Sequence, residues 1–71
     1  MQDTTTTPRQ SPVDDATYDL LQALTSKLEA IEAYELYAED EGVRELFERL
    51  GREEAEHAEA LLSALRDRLA R

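Results

Sequence analysis

From Ala16 to Asp40 the chain runs without a proline or glycine, as "ATYDLLQALTSKLEAIEAYELYAED". It is rich in Ala, Leu and Glu, all good helix formers. Leu21, Leu24, Leu28 and Ile31 recur at steps of three and four, the spacing of one face of an amphipathic helix. Leu20, Tyr34 and Ala38 widen that stripe. Asp14 or Asp15 should start the helix, since an aspartate there accepts from unpaired backbone N–H groups and suits the positive end of the helix dipole.

The pattern breaks at "EDEGV", residues 39–43. Asp40 is placed to cap a second helix; alternatively Gly42 ends the first in a left-handed conformation. Either way the connection is short, so the two helices should form an antiparallel hairpin. The second helix is expected from about Glu41 or Val43 to near the C-terminus. Its stripe reads Val43, Leu46, Phe47, Leu50, Glu54, His57, Leu61, Leu65 and Leu69. Arg66, Arg68 and Arg71 complement the dipole at its end. Gly51 lies inside it, at a cost of about 1 kcal/mol relative to Ala, and either permits a close backbone approach or is simply tolerated.

Size turns this pattern into an expectation about assembly. The chain has 71 residues and no cysteine, so no disulfide or thiolate site can staple it. Two broad apolar stripes cannot both be buried in one hairpin. The expected fold is all-α: an antiparallel two-helix hairpin, residues 14–71, that dimerises into a four-helix bundle as a homodimer or higher homo-oligomer. Residues 1–13, "MQDTTTTPRQSPV", carry four threonines, two prolines and little apolar content, and read as a disordered tail.

Charge narrows the partners. Seventeen acidic against eight basic residues give a net charge of −9. That repels nucleic acid, whose binding needs clustered Lys and Arg, and argues against anionic membranes. No apolar run approaches the roughly 20 residues of a membrane span. The N-terminus lacks the basic and apolar regions of a signal peptide, so a cytoplasmic location is expected. Glu39, Glu41, Glu45, Glu48, Glu53, Glu56 and Glu59 read mainly as a solvated face.

Two members of the second stripe are polar. Leu50, Glu54, His57 and Leu61 are spaced four, three and four, so Glu54 and His57 should point inward with the leucines. Burying a carboxylate and an imidazole without partners is costly. A hydrogen-bonded Glu–His pair offsets that cost, and so does a divalent metal. Glu at i and His at i+3 lie about 60° apart on a helix, close enough to meet on one ion. Four-helix di-iron and di-manganese proteins use Glu-x-x-His from two helices and one Glu from each of the other two. A hairpin dimer has that stoichiometry if helix 1 supplies a glutamate. Depth counted from the turn places Glu54 between Glu29 and Glu32, and Glu32 lies beside the face of Leu21 and Leu28. The expected ligands are Glu32, Glu54 and His57, with Glu29 as the alternative to Glu32. Carboxylate and imidazole favour iron, with manganese also suited.

"KLEAIEAYELYAED" followed by "VRELFERLGREEAEHAEALL" resembles the ferritin-like superfamily, rubrerythrin-like segments above all. Glu54 and His57 match that family's metal-binding Glu-x-x-His. A single hairpin resembles the encapsulated ferritins, which build their iron site between subunits. The resemblance implies a ferroxidase that oxidises Fe(II) to Fe(III) with dioxygen at a di-iron site, for storage or detoxification, often inside a protein shell or nanocompartment. In the family a helix 1 tyrosine lies seven residues after the ligand glutamate. Aligning Tyr34 with it puts Lys27 at the ligand position, and aligning Tyr37 puts Ala30 there. A shift at a shortened turn leaves Glu29 or Glu32 in the role. The alternative function is a metal-free helical dimer acting as an interaction module.

Overall fold

The structure, a computed structural model, describes residues 11–70. The expected tail lies for the most part outside the described residues. Helix α1 spans Asp15–Tyr37 and helix α2 spans Arg44–Leu69, with a single 3-10 turn at Glu41–Val43 between them. The two helices run side by side in a hairpin.

Asp14 caps α1: its Oδ1 accepts from the Thr17 backbone N–H at 2.9 Å. The other carboxylate oxygen accepts from Arg68 Nη2 at 2.8 Å. One aspartate thus satisfies an unpaired N–H of α1 and ties the start of the chain's first helix to the end of its last. Hydrogen bonding from Thr17, side chain first and backbone N–H second, and then from Arg68, holds the Asp14 carboxyl at about 2, below its ordinary 3.8. A depressed carboxyl stabilises the fold above its unfolded pKa and loses that contribution as pH falls through the folded value. Acid titration followed by circular dichroism is therefore expected to lose helix between about pH 4 and pH 2. In Asp14→Asn the amide retains the cap and forfeits the charge, so helix loss in that window should shrink.

The reversal differs from the sequence expectation. Asp40 makes no side-chain cap hydrogen bond, and neither Gly42 nor any other described residue has a positive φ. The last carbonyls of α1, on Tyr34, Leu36 and Tyr37, accept from the backbone N–H groups of Ala38, Glu39 and Asp40, and the two carbonyls just past the helix end are met by an arginine from beyond the turn: Arg44 Nε donates to Ala38 O at 2.9 Å and Nη2 to Glu39 O at 3.4 Å. A guanidinium can do this because its donors are fixed in one plane and its charge suits the negative end of the helix. Tyr34, Tyr37 and Phe47 close this end of the hairpin, with ring centroids 5.2 to 6.3 Å apart.

Between the helices, α1 contributes Thr17, Leu20, Leu24, Lys27, Ile31 and Tyr34, and α2 contributes Phe47, Leu50, Glu54, Ala58, Leu61 and Leu65. The register follows from Thr17 against Arg68, Lys27 against Glu54, and Tyr34 against Phe47. Gly51 faces Tyr34, but a Cβ there would stand 3.9 Å from the Tyr34 Cβ, an ordinary contact. Close approach therefore does not require the glycine, and Gly51→Ala is expected to raise stability by about 1 kcal/mol, read as a higher midpoint in urea.

The seam is thin. Among the described residues Ala58 and Leu65 are the buried apolar side chains, and Thr17 is the buried polar one. Leu21, Leu28, Leu36, Val43, Leu46 and Leu69 remain exposed. Dimerisation into a bundle was the expected cover for these, and one hairpin does not supply it.

Candidate functional site: a lysine, a glutamate and a histidine

Glu54 reaches the seam and His57 does not. The α2 face that meets α1 passes through Glu54, Ala58 and Leu65. Glu54 to Ala58 is one turn and a little more, whereas His57 stops short of the turn and falls on the flank. The Glu54 side chain is 20% exposed and that of His57 is 60% exposed. The expectation that both point inward holds for the glutamate alone.

Opposite Glu54 stands Lys27, its Nζ 2.9 Å from Glu54 Oε1. That oxygen is sealed from solvent, and its contact with the ammonium is an ion pair. His57 Nδ1 lies 3.6 Å from the same oxygen, beyond good hydrogen-bond range. Direct contact with the Lys27 ammonium holds the Glu54 carboxyl below its ordinary value, against the opposing effect of partial burial, and His57 adds a smaller lowering.

Glu29 and Glu32 take exposed positions on α1, so within one hairpin neither is the partner of Glu54. The depth count failed because it centred the reversal on residues 41–43. The chain turns earlier, from Ala38 onward, and the level of Glu54 moves back to Lys27.

Do these residues fit a di-iron group? A protonated lysine has three donors and no lone pair, so it cannot ligate, and its charge repels a dication. Without it the hairpin brings one carboxylate and one imidazole to the spot. A two-fold copy would bring a second identical set, ammonium included. No cluster of three or more His, Cys, Asp or Glu able to hold a metal occurs among the described residues. As they stand, Lys27, Glu54 and His57 form a charge-balanced pair with a flanking imidazole and do not fit the ligand set of a di-iron centre. Lys27 was the residue that one of the two tyrosine alignments had put at the ligand position. Arg44 and Arg68 carried no distinguishing sequence signal, since an arginine near a helix end is common.

No helix among the described residues is long and apolar enough to cross a membrane. Comparisons with family models, with curated proteins and with solved structures found no match, so the ferritin-like resemblance rests on the quoted residues alone.

Proposed function

We propose that this chain is a self-associating helical module, in which two hairpins pack their exposed apolar flanks together into a four-helix bundle with an acidic exterior. The observation that carries this reading is the pairing of a minimal core, Ala58 and Leu65, with large exposed leucines, Leu28 at 51% and Leu36 at 61%. Ordering a residue costs about 1–2 kcal/mol of backbone entropy, and so short a core cannot offset that over two helices. A second copy covers the leucines of both chains at once. An open groove of about 460 Å³ beside Ile31, Tyr34, Phe47, Gly51 and Ala55 leaves room for side chains from such a copy. The net charge of −9 disfavours loose, unregistered aggregation and directs any further partner to be cationic. The test is sedimentation of the wild-type chain with melting at several concentrations. A dimer or larger species whose melting point rises with concentration is expected. A monomer that melts cooperatively at a concentration-independent temperature would refute the proposal.

A second reading is Fe(II) oxidation by dioxygen at Glu54, His57 and Glu32 or Glu29 across the same interface. It is favoured by His57 Nδ1 standing 3.6 Å from Glu54 Oε1, and it requires Lys27 to withdraw. Anaerobic Fe(II) loading followed by air, with dioxygen uptake compared between wild type and Glu54→Ala/His57→Ala, decides it. Equal uptake removes the ferroxidase reading.

A further inference from the structure

Lys27 is one of the few charged groups drawn into the seam, its side chain 35% exposed. Polar residues in so thin a seam displace apolar contacts that the hairpin can ill spare. Its position answers what it does there. The ammonium sits on the sealed oxygen of Glu54, and the His57 imidazole flanks that oxygen.

We propose that Lys27 is a built-in cation. Its ammonium takes the place a divalent ion would occupy beside Glu54 and His57, so the Glu-x-x-His unit is permanently filled from within and the wild-type hairpin takes up no divalent metal there. Three features on one chain carry this. The pair is charge-balanced, so a dication entering would meet a fixed positive charge at contact distance. The ammonium offers no lone pair, so its presence subtracts a ligand as well as adding repulsion. The ion pair is also anchored from both sides of the seam, on α1 and α2, which keeps the lysine at the oxygen while the hairpin is folded. Lys27, Glu54 and His57 belong to one hairpin, so the inference stands independently of whether two hairpins associate.

The converse follows. Putting a carboxylate at position 27 would gather two carboxylates and an imidazole around one point, a set that binds first-row divalent ions. Co(II) is a suitable probe, because its visible absorption reports ligand geometry. His57 is the only histidine in the chain, so imidazole NMR signals report this position alone. Wild type titrated with Co(II) is expected to show weak uptake by surface carboxylates and no saturable change at His57. Lys27→Glu should bind Co(II) at least tenfold more tightly, with His57 shifted, and the gain should vanish in Lys27→Glu/His57→Ala. Lys27→Gln removes the ammonium without adding a like charge opposite Glu54, so it tests the same point where Lys27→Glu fails to fold; a gain of a few fold is expected. Saturable, His57-dependent Co(II) uptake by wild type would overturn the proposal. So would the absence of any gain in whichever variant retains its helical circular dichroism.

Discussion

Leu21→Glu/Leu28→Glu is expected to abolish self-association and, with it, most of the helix at micromolar concentration. The two leucines stand seven residues apart on one flank of α1, 39% and 51% exposed. Each is worth about 1.5–3 kcal/mol when fully buried, and a two-fold interface uses each of them twice. Even allowing for partial burial in the hairpin, losing four such contacts and adding four like charges should weaken the dimer by at least about a thousandfold. Sedimentation equilibrium gives the species and far-UV circular dichroism the helix. Gln22→Glu adds a carboxylate at an exposed position of the same helix and should leave both readings near wild type. A double variant that sediments and melts like wild type would mean this flank is not the interface.

Leu65→Ala is the largest expected loss inside the hairpin. Leu65 is 6% exposed and is one of the two buried apolar side chains among the described residues. It lies one turn before Arg68, opposite the first turns of α1. Truncating a buried leucine typically costs about 2–5 kcal/mol, the higher end where the cavity cannot collapse. In a chain of this size each kcal/mol shifts the melting point by about 4–8 °C, so a drop of ten degrees or more is expected. Leu69→Ala makes the contrast: Leu69 is 65% exposed, and its loss should move the midpoint far less. Equal effects of the two would mean that Leu65 is not the anchor of the seam.

The helices were legible because their signal is local. Asp14 as N-cap, the uninterrupted Ala, Leu and Glu of α1, the short break before α2 and the arginines at its end depend on neighbours within a turn. Each appears in the structure where the residues put it, the arginines as Arg66 and Arg68; Arg71 lies outside the described residues. The turn was less legible. Arg44 ties it from six residues beyond the carbonyl it meets, and an exposed arginine has no pattern that marks it for that contact.

Glu54 and His57 mark the border between the two kinds of knowledge. Spacing placed both near the seam, yet at about 100° per residue the seam passes through Glu54 and Ala58 and leaves His57 on the flank. What faces Glu54 was beyond local reading altogether. It depends on where the chain reverses, and an error of two or three residues there exchanges Glu29 or Glu32 for Lys27. The sequence by itself determined two amphipathic helices, the aspartate start of the first and a shared apolar stripe, because helix formation and periodicity are set within a few residues. Only the tertiary structure decided that an ammonium, rather than a second carboxylate, meets Glu54, because register is set by the turn as a whole and exchanges one partner for another of opposite charge.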